Sequence, residues 1–153
     1  MTHRLTCLLA SLLFLFTGCD KAPPSPLPTT QIKVGSRTYT LEIARTIPER
    51  DKGLMQRDSM PADHGMIFLF ATAHEQSFWM KNTRIPLDIV YLDAAGKVVS
   101  VHRMEPYKLD TVPSNGDAKY AIELNADQAN SSGVKPGDSV PIPDSIKSLQ
   151  ADP

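Results

Sequence analysis

The run Phe78-Trp79-Met80-Lys81-Asn82-Thr83-Arg84-Ile85-Pro86-Leu87-Asp88 brings an indole, two cations, an amide and a carboxylate into one short stretch. In extended backbone the side chains alternate, so Phe78 and Met80 face one way and Trp79 and Lys81 the other. Asp88 opens the apolar strand Leu87 to Leu92, sharing a face with Val90 and Leu92 while Leu87, Ile89 and Tyr91 take the opposite one. Either face surrounds the carboxylate with apolar neighbours, and an ionised carboxylate is very costly to bury without partners. It must therefore pair with Lys81, Arg84 or Arg57, or accept backbone amides. Arg57, Trp79, Lys81, Asn82 and Asp88 are the expected ligand-binding set at one end of the sheet, with Trp79 as an amphipathic platform. A plainer reading makes Asp88 a strand-end carboxylate that stitches the loop before it, and Trp79 part of the core.

Hydrolytic chemistry finds little support. Ser59, Ser77, Ser100 and Ser114 stand in no nucleophile-elbow context. Glu49, Asp88, Glu105 and Glu123 could supply the paired carboxylates of a glycosidase, but nothing in the sequence joins any two of them. Binding without catalysis is the expectation, and an envelope enzyme with paired carboxylates the alternative. A third class is soft-metal binding. His64, Met66, His74, Met80, His102 and Met104 offer imidazole and thioether groups suited to Cu(I). His102 and Met104 share a strand face, and their distance from Met80 resembles part of the ligand pattern of periplasmic copper chaperones; His64-Gly65-Met66 does not fit that pattern. Methionine is more commonly a filler of apolar cores, and no other cofactor is expected.

The N-terminal segment gives an address. Arg4 is followed by an apolar run from Leu8 to Phe16, then Thr17-Gly18-Cys19. The run is too short to span a bilayer, which takes roughly 20 apolar residues, and reads as a cleavable signal. A small residue before cysteine marks lipoprotein processing, so Cys19 is expected to become an acylated N-terminus, anchored to the membrane on the periplasmic side of the envelope. The two cysteines of the chain are Cys7, within the signal, and Cys19, so cleavage would leave no pair for an internal disulfide. Asp20, by resemblance to enterobacterial lipoproteins, favours the inner membrane. Residues 23–28 hold four prolines, a semi-rigid tether reaching roughly 3.1 Å per residue. Sixteen Lys and Arg, one of them Arg4, face seventeen Asp and Glu; that balance gives no basic field for nucleic acid. The expected partners are the membrane, through Cys19, and a small ligand or another envelope protein.

The expected layout is a signal peptide over 1–18, the acylated cysteine and tether over 19–30, one β-rich domain over 31–143, and a loose tail over 144–153. Gln31 to Val34 and Arg37 to Ile43 alternate in polarity about Gly35-Ser36, as a hairpin does. Thr46-Ile47-Pro48-Glu49 is a capping box opening a short helix that ends near Met55. Gly65 to Phe70, Gln76 to Met80, Leu87 to Leu92, Lys97 to Met104, Lys119 to Leu124 and Ser139 to Ile142 read as strands, and Asn125 to Gly133 as a helical turn. No strand alternates with a long helix, which points to a mainly β fold: a small antiparallel barrel or sandwich with one or two short helices.

Gly53-Leu-Met-Gln-Arg57, Gly65-Met-Ile-Phe-Leu-Phe70, Phe78-Trp-Met-Lys-Asn-Thr83, Ile85-Pro-Leu-Asp88, Tyr120-Ala-Ile-Glu-Leu124 and Gly137-Asp138 occur in the order and spacing of one known family. The chain resembles the domain of unknown function 192 family from about Val34 to Val140. The resemblance implies a compact, mainly β domain, exported in many members; it implies no activity and assigns no residue a role.

Overall fold

Alternation of apolar residues along the chain builds one six-stranded sheet. The computed structural model describes residues 27–153, so the expected signal peptide, Cys19 and most of the expected tether lie outside the described residues. The strands are β1 (Thr29–Val34), β2 (Arg37–Ala44), β3 (His64–Phe78), β4 (Leu87–Leu92), β5 (Val98–Met104) and β6 (Val112–Asn125). Their order is β1-β2-β3-β6-β4-β5, open at both edges, so the sheet does not close into a barrel. The fold is mainly β and sandwich-like, as expected, but not wholly antiparallel: β2 and β3 run parallel. The connection between them carries helix α1 (Ile47–Lys52), and a crossover of that length is what a parallel pair requires.

The β1–β2 hairpin turns at Gly35, whose φ of +59° suits glycine; a Cβ there would stand 2.2 Å from the Ser132 carbonyl oxygen. The Thr46 hydroxyl accepts from the Glu49 amide while the Glu49 carboxylate accepts from the Thr46 amide, completing the capping box of α1. The helix stops at Lys52, short of Met55, because Gly53 leaves the helical region at φ 45° and donates its amide to the Glu49 carbonyl.

Of the two apolar segments expected as separate strands, Gly65 to Phe70 and Gln76 to Met80, the first and the start of the second belong to one 15-residue strand, β3, which ends at Phe78 and leaves Trp79 and Met80 in the following loop. The polar residues between them stay extended because β6 runs alongside, with breaks in register between Leu69 and His74 and between Glu75 and Ser77. Such irregularities bend a strand. The far arm of the β3–β6 ribbon folds back over the sheet: the Phe78 ring lies 4.8 Å from Phe68 and 5.8 Å from Tyr91, and the Tyr91 hydroxyl donates to the Val112 carbonyl at 2.6 Å.

Each face of the sheet therefore carries its own core. On the first, Leu41, Ile43, Ile67, Val90, Ile122 and Leu124 pack with Ala129, Val134, Val140 and Ile146; these come from α2 (Gln128–Ser132), the C-terminal segment and α3 (Asp144–Lys147). The segment expected as a strand over Ser139 to Ile142 makes a single bridge, Lys97 to Ser139. The tail expected to be loose is held, because Ile146 is buried and Asp152 bonds back to α1, its carboxylate accepting from the Ile47 amide and its carbonyl from Arg50. On the second face, Met66, Phe68, Leu87, Ile89 and Tyr91 are covered by Leu54, Met80, Ile85 and Met104.

Candidate functional site

Cross-strand register sets a row of side chains on the second face: Glu42, Met66, Glu123, Ile89 and His102 are successive partners on β2, β3, β6, β4 and β5. Two acids thus stand in an otherwise apolar layer, separated by one strand, roughly 10 Å at the usual strand spacing. Their environments differ. Glu42 receives both terminal nitrogens of Arg57, at 2.5 and 2.7 Å, a bidentate pairing that suits two planar groups. Glu123 is 4 % exposed, and among the described residues no group donates a hydrogen bond to its carboxylate. Loss of water pushes Glu123 up to about 8, against the opposing pull of the Arg57 charge. At neutral pH it is mainly a carboxylic acid, offering a hydroxyl donor and a carbonyl acceptor side by side.

Glu123 opens onto a cleft of about 30 Å³, room for two or so waters at roughly 10–15 Å³ each. One wall is the end of α1 and its exit, Arg50 to Met55; the other is Trp79 and Thr83, and Phe68 and Phe78 line the space between. The walls are joined by the Gln56 amide, which donates to the Asn82 carbonyl at 2.9 Å. Gln56 and Asn82 both have positive φ, 63° and 57°, so two tight turns meet at that bond.

Of the five expected site residues, Trp79 lines this cleft, and Lys81, Asn82 and Arg57 stand near it without lining it. Trp79 stands on the rim, 46 % exposed, and the Lys81 ammonium lies 5.0 Å over its ring, within cation–π range. Asn82 contributes its backbone, and Arg57 sits beside the cleft through Glu42. Asp88 is not with them. It lies on the first face, where it accepts from Arg103 Nε at 2.7 Å and from the Ala129 amide at 3.0 Å. Arg103 also bonds Asp127, so Asp88 joins β5 to the start of α2, with cations other than the three expected for it. Arg84 instead pairs with Asp58 at 2.6 Å.

The four carboxylates considered for glycoside chemistry are dispersed: Glu49 caps α1, Asp88 faces away, and Glu105 is an exposed partner of Lys108. Only Glu123 opens on the cleft. Its signal in the sequence is the one that singled out Asp88, a carboxylate inside an apolar strand; Glu42, in Leu41-Glu42-Ile43, is another instance.

His102, at the end of the row, has its Nε2 buried with no hydrogen-bond partner, and burial holds the imidazole below its ordinary pKa, in the neutral form. Met80 and Met104 are both buried in the core of this face. Among the described residues no three His, Cys, Asp or Glu side chains converge as a metal site.

The fold is shared with solved structures. A protein of unknown function from Novosphingobium aromaticivorans DSM 12444 is 34% identical, with a TM-score of 0.71 over 78% of this chain and 89% of that one. A proposed transcription regulator from Sinorhizobium meliloti 1021 is 33% identical, with a TM-score of 0.68 over 72% and 89%. No curated protein matches the sequence. Residues 30–142 match the profile of the domain of unknown function 192 family, described as "Uncharacterized ACR", and that span covers both acids, the cleft and the six described strands apart from Thr29 at the start of β1. With its strands and both walls of the cleft inside the matched span, the chain belongs to the domain of unknown function 192 family.

Proposed function

We propose that the chain is a lipid-anchored domain of the cell envelope that binds, without catalysis, a small uncharged polar group of a glycan or peptide in the cleft over Glu123. One observation carries this reading: a neutral carboxylic acid with no hydrogen-bond partner among the described residues opens onto a cleft with an aromatic floor and a tryptophan rim. A strongly shifted acid in a cleft is a functional-site candidate. The group that complements a paired donor and acceptor is an amide. An acetamido group would place its amide on Glu123 and its methyl on Phe68 and Phe78, and the sugar ring or peptide plane attached to it would meet Trp79. The cleft is too small for more than such a terminal group.

Trp79 is the single tryptophan of the chain and reports on its own site. Titrating the protein with N-acetylglucosamine, chitobiose or N-acetylalanine amide is expected to change Trp79 emission saturably, while glucosamine and glucose leave it unchanged. Glu123→Leu is expected to weaken the response about tenfold or more, the loss of one buried hydrogen-bonding group. Emission unaltered by every acetamido compound would reject the reading.

The unpartnered Nε2 of His102 favours one second reading, a Cu(I) site formed by His102, Met104 and Met80. A neutral imidazole with thioethers matches the softness of that ion. In competition with a chromogenic Cu(I) chelator, the protein is expected to take up one equivalent, and His102→Ala and Met104→Ala each to lose it. Retention of all copper by the chelator would retire this reading and leave the cleft unaffected.

A further inference from the structure

Large apolar side chains are exposed in two neighbouring loops over the second face. Trp79 is 46 % exposed, Tyr107 61 % and Leu109 64 %. The loops are sewn together by the Met80 amide donating to the Lys108 carbonyl at 2.9 Å and the Tyr107 amide to the Thr83 carbonyl at 3.2 Å, so the segments that carry the three side chains lie side by side. Lysines stand among them: Lys81 lies over the Trp79 ring, and Lys108 is between Tyr107 and Leu109 in sequence.

Tryptophan and tyrosine with lysines at their margins are the composition of a bilayer interface, where rings sit at headgroup depth and ammonium groups reach back to water. The chain also enters the domain on this side, since Leu27 packs against the core of the second face. Only residues 20–26 separate Leu27 from Cys19, and since no chain spans more than roughly 3.6 Å per residue, the domain stays close to whatever holds that cysteine.

We propose that the Trp79–Lys81 and Tyr107–Leu109 loops dock on the lipid surface to which the chain is tethered. A tether turns weak insertion into an intramolecular event with a high effective concentration, so a few half-exposed side chains suffice. Lys108 is 3.7 Å from the Glu105 carboxylate, and Asp110 adjoins, so the surface carries little net charge. Insertion is therefore driven by apolar burial and needs no anionic lipid.

The proposal extends the anchored reading of the function, and its test replaces the acyl chain so that the two can fail separately. A chain beginning at Cys19, with that residue as its single thiol, is coupled to a maleimide lipid in phosphatidylcholine vesicles. Trp79 emission is expected to shift to the blue and to be quenched by lipids brominated near the headgroup, with no ligand present. Tyr107→Ser combined with Leu109→Ser, both exposed and compatible with the fold by circular dichroism, is expected to lower the docked-to-free ratio about tenfold. Solvent-like, unquenched emission in the coupled wild type would overturn the proposal, as would quenching undiminished by the double variant. A blue shift without lipid, together with a dimer in sedimentation, would assign the surface to a second copy of the chain instead.

Discussion

Glu123→Gln is expected to stabilise the protein by about 3 kcal/mol at pH 7, an increase larger than most substitutions achieve in either direction. The side chain is buried, and its pKa moves from the model value of 4.5 to about 8. Between those values the folded state holds a proton that the unfolded chain has released. Stability of the native sequence therefore falls as pH rises from about 4.5 to about 8, at roughly 1.4 kcal/mol per pH unit, and levels off above. Glutamine keeps the shape and the donor–acceptor pair but does not titrate, so the variant escapes this loss. Urea denaturation of both proteins across pH 4 to 9 should give curves that meet near pH 4 and separate steadily to about pH 8. A constant difference would mean that Glu123 is ionised and paired in the folded state, and the neutral-acid account of the cleft would fall. An acid that weakens its own fold while opening on a cleft is what a trade between stability and function produces.

Arg57→Met is expected to act in the opposite direction, lowering stability by about 3–5 kcal/mol. It leaves Glu42, with a side chain 7% exposed, without the guanidinium that satisfies both of its oxygens. Removing the pair together, as Glu42→Met with Arg57→Met, is expected to recover part of that loss, because the penalty lies in a buried charge deprived of its guanidinium and not in the missing attraction. Chemical denaturation of the two single variants and the double variant at pH 7 measures the coupling directly. A double variant as unstable as Arg57→Met would show that Arg57 contributes mainly by holding the Gln56–Asn82 contact beside it. Arg57→Met should also raise the Glu123 pKa further, since the Arg57 charge is what opposes burial there, and the pH at which the Glu123 stability curve levels off would move up accordingly.

Local signals were sufficient for most of the elements and for part of the candidate site. The hairpin at Gly35, the capping box at Thr46 and Glu49, and the strand Leu87 to Leu92 follow from turn residues, hydroxyl capping and period-two alternation, which act over a few residues. The prominence of Trp79, Lys81 and Asn82 was legible because one short segment carries them. The sequence also required that Asp88 be satisfied, since a buried carboxylate must be. It could not name the partners, because Arg103 and Ala129 reach Asp88 only through the pairing of β4 with β5 and the return of α2 across the sheet.

The same limit explains why Glu123 stood out no more than Glu49 or Glu105. Alternation reveals that a carboxylate lies in an apolar strand; it does not reveal whether a cation, a backbone amide or a cleft awaits it. That was decided by register, which sets Glu42 and Glu123 on either side of Met66, and by the bend of the β3–β6 ribbon, which lays Phe78 on Phe68 and brings Trp79 to the wall opposite α1. The sequence by itself determined most of the strand segments and which of their faces are apolar, because those are properties of neighbouring residues. Only the tertiary structure decided that one acid is paired and the other is left facing a cleft, because that depends on residues far apart in the chain meeting across the sheet.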